Sequence, residues 1–145
     1  MMKKGFTLIE ILVAATIIAV LVSIGLVSYS SVNRRSRDAK RKSDLEQVRS
    51  ALEMYRADMG YYSDAGTGNW TNVSDLAVDI VDTYMPFLPS DPADNVVYRY
   101  LATNPSGTPT QYYGYCVSAL LESGDATDGC TPDTASGHNY GVKNP

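Results

Sequence analysis

The 22 residues from Ile11 to Val32 carry no charge, and those from Ile11 to Val27 are almost all aliphatic. As an α-helix, about 20 such residues cross the hydrocarbon core of a bilayer. The preceding Lys3, Lys4 and Gly5 suggest a secretory signal peptide, with a basic start and an apolar centre. The run is longer than that centre usually is, and Ser28-Tyr29-Ser30-Ser31-Val32 is a poor match to a small-residue cleavage site. The sequence therefore predicts a span that is retained.

Charge divides the rest of the 145 residues. Residues 1 to 33 carry a net charge of plus 1, residues 34 to 59 a net of plus 3, and residues 60 to 145 a net of minus 8. The length allows one compact domain, or a smaller domain plus one long element. The segmentation suggests an apolar phase, a charged helical neck and an acidic body facing water.

Arg34 to Met59 holds neither proline nor glycine and is rich in helix formers, so the span should continue as one helix until Gly60 stops it. Leu45, Val48, Leu52, Tyr55 and Met59 recur at spacings of three and four, a stripe that can dock on a sheet. Beyond the loop at 64 to 69, Thr71 or Asn72 caps a short helix over residues 73 to 85, closed by Pro86, Pro89 and Pro92. Residues 96 to 103, 111 to 121 and 138 to 142 read as strands. The expected fold is α+β: a long N-terminal helix, its first half transmembrane, packed on a small antiparallel sheet.

Lys3-Lys4-Gly5-Phe6-Thr7-Leu8-Ile9-Glu10 resembles the processing motif of type IV pilins and of the pseudopilins of type II secretion. Residues 51 to 62 and the turn Phe87-Leu88-Pro89-Ser90-Asp91-Pro92 resemble segments of major pseudopilins more loosely. Val27 stands where the family commonly has a proline, and Ser63 where another often follows the tyrosines. The resemblance implies that a membrane peptidase cuts between Gly5 and Phe6 and methylates the new amine. Residues 1 to 5 are then a leader, 6 to 32 the membrane and filament-core half of the helix, 33 to 59 its amphipathic half, and 60 to 145 an extracytoplasmic head.

An acid at mid-bilayer costs on the order of 2.5 to 3.5 kcal/mol, and less near an end, so Glu10 needs a partner. A cut before Phe6 creates an amine about 6 Å away along the helix axis. The resemblance implies that Glu10 neutralises the amine of a neighbouring subunit, while pairing with its own amine is the local alternative. Arg34, Arg35, Arg37, Lys40, Arg41 and Lys42 lie beyond the span, where the positive-inside rule would keep the body cytoplasmic. The processing motif and the cysteines outweigh that rule here. The same cluster reads as a solvated or headgroup-anchoring face, or as a partner for the acidic bodies of neighbours. Nucleic acid is a poor partner for so acidic an exposed body.

Cys116 and Cys130 are too far apart for a Cys-x-x-Cys motif, and an even count in an exported domain favours a disulfide over two free thiols. Its loop would add roughly 3 kcal/mol on the chain-entropy model. Many type IV pilins have such a C-terminal loop, whereas major pseudopilins usually do not. Resemblance to the latter raises calcium at Asp125, Asp128 and Asp133, but the spacing matches no loop motif and a solvated acidic turn is preferred. No other cofactor is expected. His138 lacks a second ligand nearby and reads as a strand residue, and the pairs Tyr98/Tyr100 and Tyr113/Tyr115 each fall on one strand face, for packing. Asn69-Trp70-Thr71 and Asn72-Val73-Ser74 fit the glycosylation sequon, which short matches do by chance.

No nucleophile with a supporting base, paired acid and base, or phosphate loop is legible, so an enzyme is not expected. The reading is a structural subunit of a pilus-like homopolymer, held in the cytoplasmic membrane and then extracted by an inner-membrane assembly platform into an extracellular filament. Its rivals are a secretion pseudopilin, a minor adhesive or DNA-uptake tip pilin, and an anchored domain that never polymerises.

Overall fold

A computed structural model describes residues 5 to 65, 68 to 124 and 129 to 145. Two compact units divide the chain, Met1–Ser36 and Arg37–Pro145. The helix α1 (Leu8–Met59) contributes its first part to one and its second part to the other. It ends where expected: Gly60 takes φ 84° and donates its N–H to the Arg56 carbonyl at 2.8 Å, a left-handed cap that glycine adopts without steric cost.

The second unit adds β1 (Thr71–Asn72), a 3₁₀ turn (Val73–Leu76), α2 (Ala77–Ile80), β2 (Arg99–Ser106), β3 (Gln111–Ala119), a second 3₁₀ turn (Thr134–Ser136) and β4 (Tyr140–Lys143). The four strands form one antiparallel sheet in the order β1-β2-β3-β4. Together with α1 this gives the α+β arrangement of a long helix on a small sheet. Tyr100 and Ala102 of β2 sit opposite Val117 and Tyr115 of β3, and all four are buried with Leu45, Val48, Ala51 and Leu52 of α1. Each such aliphatic side chain contributes about 1.5 to 3 kcal/mol by leaving water. Because residues two apart share a face, Cys116 and Ser118 point away from α1, and they too are buried.

Several sequence expectations are corrected. Met59 is 50% exposed and lies outside the core stripe, which closes at Tyr55. The helix expected over 73 to 85 is a 3₁₀ turn followed by only four α-helical residues. Its start is fixed as anticipated near Asn72, whose N–H donates to Asp75 Oδ2 at 3.1 Å. Its end comes early because Asp82 takes φ 67° and its N–H turns to the Met85 carbonyl at 2.9 Å. Tyr113 and Tyr115 do not share a fate: Tyr115 is buried and Tyr113 exposed. The alternation breaks where Asn104, on the paired strand, takes φ 55°.

Candidate functional site

The sequence-predicted processing bond lies outside regular structure. Residues 5 to 7 precede the first turn of α1, and Phe6 is 85% exposed. A Cβ added at Gly5 would meet nothing within 4 Å, so the chain's own packing does not require glycine there. Helical order begins at Thr7 and Glu10. The Thr7 N–H and hydroxyl both donate to Glu10 Oε2 at 2.8 Å, and the Glu10 N–H donates back to Thr7 Oγ1 at 3.3 Å. This reciprocal capping box satisfies donors that a helix start leaves open. Sequence reasoning gave Glu10 an amine as partner and overlooked Thr7, although the Thr-x-x-Glu spacing before an apolar run was there to find.

From Leu8 onward the first unit keeps its apolar side chains uncovered, Ile11, Leu12, Ile17, Ile18, Leu21 and Ile24 among them. The helix is long and apolar enough to cross a membrane. Two hydroxyls within the apolar run are bonded within the helix: Thr16 Oγ1 donates to the Val13 carbonyl and Ser23 Oγ to the Ala19 carbonyl, each at 2.8 Å. A helical segment with its aliphatic surface bare is suited to lipid or to its own kind.

The basic cluster divides. Arg34, Arg35 and Lys40 are exposed, whereas Arg37 and Arg41 are engaged within the second unit. Arg41 is buried. Its Nε and Nη2 reach Asp91 Oδ2 and Oδ1 at 2.7 and 2.9 Å, and its Nη1 reaches Asp38 Oδ1 at 2.8 Å and Glu122 Oε1 at 3.0 Å. Arg37 grips Glu122 with a second fork at 2.6 and 2.5 Å. Asp38 also accepts the N–H groups of Glu122 and Ser123, each at 2.9 Å. These charge-assisted bonds fasten one turn of α1 to the proline-rich turn and to the segment after β3. The aspartate of the Leu-Pro-x-Asp-Pro turn is thus the arginine's bidentate partner.

Cys116 and Cys130 form a disulfide with Cα atoms 5.9 Å apart. A Cβ on Gly129 would collide with the Gly141 carbonyl, so only a glycine lets the bonded loop lie on β4. Asp133 is buried rather than solvated: Oδ2 accepts from Arg99 Nε at 3.1 Å and Ser136 Oγ at 2.7 Å, so it is engaged in the loop. Asp125 and Asp128 lie outside the described residues, and among the described residues no group of three or more His, Cys, Asp or Glu side chains could hold a metal. His138 is not a strand residue, since β4 starts at Tyr140. Its Nδ1 meets Ser118 Oγ at 2.9 Å, and both side chains are buried.

These contacts set an acid response. The Arg37 and Arg41 guanidiniums pull the Glu122 carboxyl down to about 2, from an ordinary 4.5. Burial works to raise Asp38 and Asp133, but N–H, hydroxyl and guanidinium donors outweigh it and hold both below the usual aspartate value. A depressed carboxyl stabilises the fold above its unfolded pKa, and that stability drains away as pH falls through the folded pKa. Burial lowers His138 below 6.5, so the unfolded chain takes up that proton first. The urea midpoint is therefore expected to slip modestly below about pH 6.5 and to fall steeply below about 4.5. Replacing His138 with Gln should remove the first phase and leave the second, as read by circular dichroism titrations.

An anchored structural subunit is the class that the capped, lipid-compatible helix and the clamped head define. The family model described as the prokaryotic N-terminal methylation motif matches residues 1–26. The chain is 31% identical over 109 residues to type II secretion system core protein G of Escherichia coli, covering 71% of this chain and 73% of that protein. It is 33% identical over 72 residues to the pilin-like protein PilA3 of Thermus thermophilus, covering 49% of this chain but only 30% of that longer protein. It is 34% identical over 76 residues to a type IV major fimbrial protein, FimA, of Dichelobacter nodosus, covering 52% and 48%. No solved structure gives a significant match. The chain belongs to the family of type IV pilins and type II secretion pseudopilins, whose members are prepilin-type structural subunits, and its motif and apolar helix fit a membrane-anchored precursor of an extracellular filament.

Proposed function

We propose that this chain is a non-catalytic subunit that a prepilin peptidase cuts between Gly5 and Phe6, and that polymerises with copies of itself. Before assembly, residues 6 to 32 lie in the cytoplasmic membrane. An inner-membrane platform then moves the subunit into a fibre in which those segments pack together and residues 60 to 145 face water. The carrying observation is the bare aliphatic surface of α1 from Leu8 to Gly25 and again from Tyr29 to Val32, which only lipid or similar helices can cover without large cost. The assembly needs no cofactor.

N-terminal mass spectrometry of protein from sheared surface fibres tests this reading. The expected start is a methylated Phe6. Replacing Gly5 with Val should leave the precursor uncut and reduce fibres at least 10-fold while the thermal unfolding of the head is unchanged, because no packing is disturbed at Gly5. A dispersed wild-type monomer that keeps its first five residues would overturn the proposal. The 73% coverage of core protein G favours a second reading, a short secretion pseudopilus. Long surface fibres at native expression exclude it.

A further inference from the structure

Where α1 ends, the head holds a half-open pocket of about 360 Å³, within the usual size range of small-ligand pockets. The rings of Tyr55, Tyr61, Tyr62 and Tyr112 line it with the carboxylates of Asp64 and Asp79, and no lysine or arginine does. Tyr55 and Tyr112 are each only 8% exposed. Among the described residues, neither hydroxyl has a hydrogen-bond partner, and no buried side-chain polar atom goes unpaired. Both hydroxyls therefore open on accessible space, and both residues line the pocket. Tyr62 differs, since its hydroxyl meets Glu53 at 2.9 Å and Arg56 at 3.0 Å. Asp79 accepts the Ser63 hydroxyl through Oδ2, leaving Oδ1 for a ligand.

We propose that this pocket binds an organic cation, an ammonium or guanidinium group carried on an aliphatic stem. The two carboxylates take the charge, the phenol oxygens accept its N–H groups, and the ring faces cover the stem and attract the cation through their quadrupoles. A neutral ring compound could stack on the tyrosines, but it would leave both carboxylates without a counter-charge. The field inside the pocket has the right sign: burial, then Asp79, push the Tyr55 phenol up to about 12. Burial opposes any charge there, whereas the part of the shift owed to Asp79 and Asp64 is a negative field that favours a cation. Two sources supply this chemistry, a free alkylamine and a basic side chain of a second copy.

The test is calorimetric titration of the full chain in detergent micelles with cadaverine and agmatine, using methyl glucoside as the neutral probe. One site is expected, and the glucoside should bind at least 10-fold more weakly than either amine. The double variant Asp64→Asn/Asp79→Asn should weaken amine binding at least 10-fold. Replacing Tyr55 and Tyr112 with Phe removes only unpartnered hydroxyls, and should weaken it about 3-fold with the unfolding midpoint unchanged. The absence of amine binding to the wild type, unaltered binding by the Asn variant in its folded form, or equal binding of the glucoside would each overturn the proposal. Repeating the titration on assembled fibres separates the sources. Affinity that persists assigns a free amine, and affinity lost on assembly assigns the neighbour's side chain. Since the micelle titration uses unassembled protein, its outcome is independent of whether the chain polymerises.

Discussion

Replacing Glu10 with Ala is expected to lower fibre yield at least 10-fold while the precursor accumulates in the membrane with a folded head. The carboxylate has two possible duties, and the structure lets them be separated. Within the chain it closes the capping box with Thr7, a duty worth about 1 kcal/mol of helix-start stability. In the fibre it would neutralise the amine that the cut creates on an adjacent subunit, where an unpaired charge in an apolar core is far costlier. Thr7→Val removes the two hydroxyl bonds of the box, leaves the backbone one, and keeps the acid. If capping were all that Glu10 does, Thr7→Val would lose a large share of the fibres that Glu10→Ala loses, as electron-microscope counts per cell would show. The assembly role predicts a small loss for Thr7→Val, and Glu10→Gln close to Glu10→Ala.

The second large effect is on stability. Arg41→Met should destabilise the head by about 3 to 5 kcal/mol, because it strands carboxylates that lie out of solvent. The Asp91 side chain has no exposure and that of Asp38 has 6%, while Glu122 retains Arg37. Arg41→Lys restores the charge without the fork and should recover only part of the loss. Urea unfolding of the micelle-held protein measures both. A change below about 1 kcal/mol for Arg41→Met would place these contacts among ordinary surface ion pairs.

Arg41 also shows what the sequence conceals. In a run of six basic residues within nine positions it reads as one more solvated charge, and two of its three partners, Asp91 and Glu122, stand 50 and 81 residues away. Only the folded head brings them together. The long helix, by contrast, was legible from end to end, since its apolar length, its stripe from Leu45 to Tyr55 and its terminal Gly60 are signals spaced by the helix's own period. Three of the four strands were legible, while β1 was read only as a helix cap, and their extent was not, because edges depend on pairing: β2 continues to Ser106 opposite Gln111, three residues past the expected end. The helix after Asn72 was overestimated for a related reason. Apolar spacing from Val73 to Ile80 survives a mixture of 3₁₀ and α turns, so periodicity alone cannot say where regular structure stops.

Both rims of the sheet are short. The β1 rim is two residues long, and the opposite one, β4, is four residues long and ends at Lys143. A neighbouring backbone therefore finds little to zip onto along β1 or β4 themselves. In the proposed fibre, heads held side by side would meet without fusing into amyloid-like stacks, and polymerisation would be left to the bare helix surface.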